Sequence, residues 1–391
     1  MIPECWANEN ENYITNPVMA EFCINNGIKT QYTRMDLLKS INEFAQVNDE
    51  NKAKVEDWLE VVLKQGMKNI LFRKIEFETK PNNDILRRSF TNCRNRKLYS
   101  NITEGNTLNL QSMKIDNSKI EFVFTIFLIE EKRDVKNRIT YPIFVDIDLD
   151  KKLIFGRAKS KTNIHTVSSE NIDEMGFNTS TDNLIIQAVE YVEKSLNANK
   201  IDKEEYIESV KKSIYNILEK YTFTPEAIEN KIAEMDEYIN SFINTTLDML
   251  EINDPINFNK AKEDMKIFIE KYISINIKDK DIFINDREAY PYKLIATDSE
   301  MTKVEETTTS YEPLQCKEKF FDNKKSIKYE GTCDGIFLVY ARKQKGNFST
   351  NNFRAKISVK RKFCCVRFEA YVIEEDIDNV LSNIINSWKK I

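Results

Sequence analysis

The chain has 391 residues, 41% of them hydrophobic and 11% aromatic, enough to build two or three domains with sizeable cores. Lys and Arg number 58 and Asp and Glu 63, a net charge of −5, while only 8 Gly and 8 Pro exclude collagen-like and linker-rich designs. A single histidine, His165, excludes H-E-x-x-H zinc sites and three-His metal centres.

The seven cysteines are odd in number, scattered and without a C-x-x-C, which predicts reduced thiols, no disulfide framework and no structural zinc. The opening MIPECWANENENY lacks a cationic start followed by an apolar stretch. The longest nearly apolar run, FVFTIFLI at 122–129, falls far short of the roughly 20 residues that cross a bilayer. A soluble, cytoplasmic protein with no membrane association is therefore expected.

The first periodic segment, TRMDLLKSINEFAQVN, reads as a helix. Thr33 and Asp36 form a capping box, and Leu37, Leu38, Ile41, Phe44 and Ala45 form one stripe. A second helix carries Val55, Trp58, Leu59 and Val62 and stops at Gly66. The period then changes to two. Strands are predicted at 70–78, 119–131, 138–149 and 153–160, the last two joined as a hairpin across Asp150 and Lys151.

From about 182 the pattern is helical for some ninety residues, with starts marked by Thr224-Pro225-Glu226 and by Asp254-Pro255. A single helix is expected over 225–250, where Ile228, Ile232, Met235, Ile239 and Phe242 share a stripe suited to lengthwise packing on neighbours or on a second copy. After about 280, strands are expected in YKLIATDSE, KSIKYEGT, DGIFLVYARKQ and FRAKISVKRKFCCVRFEAYV. A closing amphipathic helix over 374–391 presents Ile377, Val380, Leu381, Ile384, Ile385 and Trp388, with acids at its start and Lys389 and Lys390 at its end. The fold class is α+β, with β-rich N-terminal and C-terminal lobes flanking a helical middle. The expected domains are 1–181, 182–278 and 279–391.

Charge is segregated along this plan. Residues 182–254 carry 16 acidic and 7 basic side chains, whereas 335–368 carry nine Lys or Arg and no acid. In the last strand, Arg354, Lys356, Ser358, Lys360 and Lys362 fall on one side, with Phe353, Ala355, Ile357, Val359 and Phe363 on the other. Cations about 7 Å apart along a strand can follow a phosphate backbone, and Asn347, Phe348, Asn351 and Asn352 adjoin them. Arg342, Lys343 and Lys345 belong to the same acid-free span. Arg87, Arg88, Arg94, Arg96 and Lys97 form a second basic stretch, and Lys151, Lys152, Arg157, Lys159 and Lys161 a third. The bland alternative is an ordinary solvated strand face whose lysines discourage edge pairing.

Catalytic motifs are incomplete throughout. None of the eight glycines forms a P-loop, a G-x-G-x-x-G turn or a nucleophile elbow. Two stretches of about a dozen residues resemble the PD-(D/E)xK nucleases, in which Asp and then Glu-x-Lys hold Mg²⁺ and steer water. One offers Asp334 and Lys343, with Ala341 where the glutamate belongs. The other offers Asp146, Asp148, Asp150 and Lys159, with Arg157 in the acidic place. The same aspartates imitate half of an EF-hand loop, but Lys151 replaces its glycine and Arg157 its glutamate. Cys364 and Cys365 point to opposite strand faces, one of them in the core as a small apolar residue, and neither reads as activated, although Arg361 and Arg367 are near enough to lower a thiol pKa somewhat.

The expectation is a protein without catalysis of its own and without cofactor or bound metal. Its basic C-terminal β surface binds DNA or RNA, and its acidic helical middle makes protein contacts. A defence or mobile-element system would suit such a chain, though no residue demonstrates it. The first alternative is a protein-interaction or sensor subunit of an oligomer, with a protein partner or a second copy held through helices 204–274. The second is a divergent Mg²⁺-dependent nuclease.

Overall fold

The computed structural model describes the chain except for residues 1, 8–12, 92–97, 99–104, 117, 134, 169–174, 200–201, 253, 298–302, 309, 344–349, 371 and 389–391. In chain order the elements are α1 (Glu4–Ala7), α2 (Asn16–Asn25), α3 (Arg34–Val47), α4 (Asp49–Gln65), β1 (Asn69–Lys74), α5 (Asn83–Ser89), β2 (Asn109–Asp116), β3 (Lys119–Lys132), β4 (Val135–Asp148), β5 (Leu153–Ala158), β6 (Ile164–Val167), β7 (Met175–Thr179) and α6 (Thr181–Ser195). There follow α7 (Lys203–Tyr221), α8 (Glu226–Glu234), α9 (Asp236–Met249), α10 (Pro255–Asn276), β8 (Ala289–Thr297), β9 (Lys303–Thr307), α11 (Glu318–Glu330), β10 (Gly335–Ala341), β11 (Asn352–Lys360), β12 (Phe363–Phe368) and α12 (Glu374–Trp388). The fold is α+β. Two compact units result, one from Met1–Tyr206 with Lys360–Glu374, the other from Ile207–Val359 with Glu375–Ile391.

In the first unit the strands run in the order β7-β6-β3-β4-β5-β1-β12, with β2 also paired to β3, and the pairings are antiparallel. Period-two sequence puts Phe122, Phe124 and Leu128 of β3 into a core with Leu184, Ile185 and Val189 of α6, while Val123 and Phe144 join Leu38, Ile41 and Leu59 of α3 and α4. Helices thus cover both sheet faces. Gly156 of β5 sits under α6, where a Cβ would lie 2.4 Å from Ile185 Cγ2 and 2.8 Å from Val189 Cγ2, so only glycine admits so close a helix. α3 starts as its sequence dictates, the Thr33 hydroxyl accepting from the Asp36 amide.

In the second unit the strand order is β11-β10-β8-β9. Ile336, Leu338 and Tyr340 of β10 and Phe353, Ala355 and Ile357 of β11 are buried. Tyr221 of α7 meets Tyr340 edge-on at 6.1 Å, and Ser213 of α7 donates to the Ile384 carbonyl of α12 at 2.9 Å. The described part of the C-terminal helix buries Ile377, Val380, Leu381, Ile384 and Ile385, as its spacing predicts, while Trp388 is half-buried and Lys389 and Lys390 lie outside the described residues. Among the described residues no helix is long and apolar enough to cross a membrane.

Four local expectations are corrected. The segment 225–250 is two helices, interrupted at Met235. Its inward positions are Ile228, Ile232, Ile239 and Ile243, and Met235 and Phe242 are exposed. Thr224 does not cap α8, because its hydroxyl donates to Glu270 at 2.8 Å and Pro225 takes the cap position. KSIKYEGT is the end of helix α11 and not a strand. Phe320, Phe321 and Ile327 anchor that helix, and Gly331 ends it with φ 63, where its amide meets the Ile327 carbonyl. Finally, 353–372 is not one strand. Arg361 takes φ 55 and the run divides into β11 and β12, so Lys362 leaves the Arg354–Lys360 alternation.

Candidate nucleic-acid interface

Pairing register in the second unit aligns a row of side chains across four strands. Lys356 of β11 stands opposite Phe337 of β10, Phe337 opposite Lys293 of β8, and Lys293 opposite Thr307 of β9. All lie on the face opposite the buried Ile336, Leu338, Ala355 and Ile357, since successive side chains alternate. Phe337, Lys293, Arg354 and Lys356 are half-buried there. The Lys293 and Lys356 ammonium groups stand 5.2 and 5.4 Å from the Phe337 ring centroid, one from each neighbouring strand.

One step along β11, the Arg354 guanidinium lies 4.2 Å from the ring centroid of Tyr311, which is 45% exposed. Tyr311 meets Tyr292 edge-on at 5.1 Å, and Tyr292 lies 6.2 Å from Phe337, where a bulge between Phe337 and Leu338 shifts the β8 register. The face therefore combines aromatic rings with Arg354, Lys356, Lys293 and Lys303. Glu305 opposes them, ion-paired to Lys293 and lying 3.3 Å from Lys303. Cations over ring faces hold a fixed direction at modest cost.

The other basic positions go elsewhere. Arg342 is buried, paired to Asp376 of α12 and set 5.2 Å from the Phe353 ring centroid. Lys343 is exposed, 3.5 Å from both Glu288 and Asn379. Arg87, Arg88, Lys159, Lys360 and Lys362 belong to the first unit. There Arg87 and Arg88 end α5, exposed, with Arg88 Nε donating to the Asp84 carbonyl at 3.2 Å. Lys159 lies 5.0 Å from the Tyr13 ring centroid. Lys360 is paired to the buried Asp182. Lys345, Arg94, Arg96, Lys97, Asn347 and Phe348 lie outside the described residues.

Asp182 opens α6 as an electrostatic hub. It accepts from Lys360, from Arg367 at 2.7 Å and from Asn69 at 2.5 Å, and Arg367 also donates to Asn69 at 3.1 Å. Burial alone would raise this carboxyl, but Lys360, Asn69 and Arg367 outweigh it and hold it below the usual carboxylate range.

The nuclease-like carboxylates are spoken for in the same way. Asp146 of β4 lies 2.9 Å from Lys64 and 3.1 Å from Arg157, and Arg157 reaches Glu374 at 3.0 Å. Two cations thus stand beside the carboxylate that a metal would need, and they hold it ionised against its burial. Asp148 accepts from the Lys151 amide at 2.9 Å and shapes the turn. Asp150 faces Lys80 at 3.7 Å. Asp334 accepts from Thr297 at 2.7 Å and lies 2.8 Å from Lys211. Among the described residues no group of three or more His, Cys, Asp or Glu is placed to hold a metal ion.

Cys364 and Cys365 are both buried, where one was expected to be. Burial pushes the Cys365 thiol up to about 11 despite Arg367 beside it, and pushes the Cys364 thiol well above its ordinary value.

Phe337, Lys293 and Tyr311 had no signal along the chain. Phe337 sits within the apolar run GIFLVYA, and only the cross-strand register brings it between two lysines. No protein-family model matches this chain, and a search of curated proteins finds no significant match.

Proposed function

We propose that the open face of the β11-β10-β8-β9 sheet binds single-stranded nucleic acid, without catalysis. The observation that carries this reading is the row Lys356–Phe337–Lys293 with Arg354 and Tyr311 beside it. Arg354 and Lys356 are two residues apart on one strand face, about 7 Å, and can meet successive phosphates. The half-exposed Phe337 offers a ring for a base, a contact worth about 1–3 kcal/mol and tolerant of sequence, and the exposed Tyr311 ring orients Arg354.

Fluorescence anisotropy with labelled oligo(dT) and oligo(U) tests it. Arg354→Gln with Lys356→Gln should weaken binding by at least about tenfold and flatten the salt dependence by roughly one power of salt per cation removed. Phe337→Ala should weaken it without changing that slope. Affinity unaltered in the double variant would sink the proposal.

A second reading rests on α8 and α9. Tyr238 is 76%, Phe242 58%, Met249 80% and Leu250 61% exposed, and Glu234, Glu237, Asp248 and Glu251 border them. Such a stripe suits a partner segment with apolar side chains set among Lys and Arg. A second copy laid antiparallel would bring Glu234 toward Asp248 of its twin, like charge on like. Light scattering that shows a monomer at all salt concentrations fits the basic partner, and a dimer lost in Phe242→Ser refutes it.

A further inference from the structure

The first unit holds a cavity of about 480 Å³, in the range of small-molecule sites. It is lined by the end of β1, the C-terminal half of α6, the loop that follows α6, the first turn of α7, and Lys362. Several of its charged groups are committed to the protein itself. Arg73 donates from Nε to Glu193 at 2.8 Å, forms a second bond to the same carboxylate, and lies 4.4 Å from the Phe363 ring centroid. Asp202 accepts from the amides of Glu204 and Glu205 at 2.9 and 3.2 Å. The Tyr206 hydroxyl donates to the Phe72 carbonyl at 3.0 Å, which fixes the ring in the wall.

What is left is unbalanced. Lys74, Lys194 and Lys362 line this cavity and have no carboxylate partner among the described residues, three cations against the charges of Glu190 and of Asp202, which its two amide bonds do not neutralise. Another cavity of the first unit, about 280 Å³ and lined by α4, shows the alternative. Its Lys64 lies against Glu121 and Asp146, and its Lys114 is paired to Glu60. Three like charges converging on a concave, water-accessible surface raise the local concentration of anions. Lysine ammonium groups meet a phosphate as mobile point charges, and the side-chain amides of Asn197 and Asn199 supply both donors and acceptors for a polar body.

We infer that this cavity binds a small phosphomonoester of nucleotide or sugar-phosphate size, its phosphate held by Lys74, Lys194 and Lys362 and its body against Ala198, Asn197 and Asn199. The inference is independent of the sheet face, which belongs to the other unit.

Isothermal titration calorimetry of the full chain with AMP, ribose 5-phosphate, adenosine and inorganic phosphate tests it. Saturable binding of AMP or of ribose 5-phosphate is expected, and whichever binds identifies the source of the phosphate. Adenosine should bind at least tenfold more weakly than AMP. The Lys74→Gln, Lys194→Gln, Lys362→Gln variant should lose at least tenfold, and Ala198→Phe, which fills the cavity without changing charge, should lose as much. Arg354→Gln with Lys356→Gln should leave this binding unchanged, so its outcome is separable from that of the nucleic-acid face. Three results each overturn the inference: no saturable heat with either phosphomonoester, inorganic phosphate binding as tightly as both, or undiminished binding in Ala198→Phe.

Discussion

The Asp182 cluster of the first unit and the open sheet face of the second use the same residue types to opposite ends. At Asp182, Lys360 and Arg367 converge on a carboxylate that is 3% exposed, so their charge is spent holding the start of α6. On the sheet face, Lys293, Lys356 and Arg354 lie over half-exposed or exposed rings, and the acid paired to Lys293 is Glu305, whose side chain is 42% exposed. Counting cations along the chain treats both groups alike. The difference lies in which acid folds back onto each cation, and that acid can be far away, as Asp182 is from Lys360 at 178 positions.

The sharpest break in the comparison comes from Arg342, which shares the acid-free span with Arg354 but has the fate of Lys360. Its side chain is 1% exposed and that of Asp376 6%. Asp376→Ala strands a guanidinium in the core and should cost about 3–5 kcal/mol, read from the midpoint of urea unfolding. Arg354→Ala, by contrast, should shift that midpoint little and act on nucleic-acid binding. Equal destabilisation by the two would erase the distinction between buried and displayed charge.

The next effect concerns binding itself. Lys360→Gln should leave oligo(dT) affinity within about twofold, because that ammonium belongs to the first unit and is paired to the buried Asp182, whereas Lys356→Gln, on the sheet face of the second unit, should lower affinity severalfold. An equal loss in both would mean that the Asp182 pairing opens when nucleic acid binds.

A smaller effect follows from pH. Asp182 has a depressed carboxyl pKa, so its contribution to folding is fully present above the unfolded value near about 3.9 and fades as pH falls through the folded one. Asp182→Asn should cost about 2 kcal/mol at neutral pH through the charged hydrogen bonds it weakens, and the gap from wild type should begin to narrow only below about pH 4. Urea unfolding at a series of pH values reads it directly. A gap that stays constant down to low pH would show that the charge of Asp182 contributes nothing beyond its shape.

These contrasts explain what was legible in the sequence. Helices whose stripe and cap agree were readable, as with Thr33 before α3 and the Ile377–Ile385 stripe of α12. So were the alternating strands β3, β4 and β11, because period-two burial is local information. Lys325–Thr332 was misread because Ile327 and Tyr329 alternate over a few residues, while the anchors that make it helical, Phe320 and Phe321, lie upstream. The turn at Arg361 was hidden because a non-glycine residue takes the left-handed backbone there. The interface was half visible. Alternation alone placed Arg354 and Lys356 together, but Phe337 and Lys293 come from strands whose register depends on pairing.

The smallest effect isolates the ring beside Arg354. Tyr311 supplies no cation, so Tyr311→Ala leaves the number of phosphate contacts unchanged and removes only the surface that orients the guanidinium, 4.2 Å away. A cation–π contact at an exposed site is worth about 0.5–1 kcal/mol, which corresponds to a loss in affinity of about twofold to fivefold. Because no cation is lost, the slope of affinity against salt should not change, whereas Arg354→Gln should flatten it by roughly one power. Tyr311→Phe keeps the ring and should bind as wild type does. If Tyr311→Ala flattens the salt slope as Arg354→Gln does, the ring is what keeps Arg354 against the phosphate at all. If it changes neither slope nor affinity, Arg354 finds its phosphate without help and the aromatic part of the face reduces to Phe337.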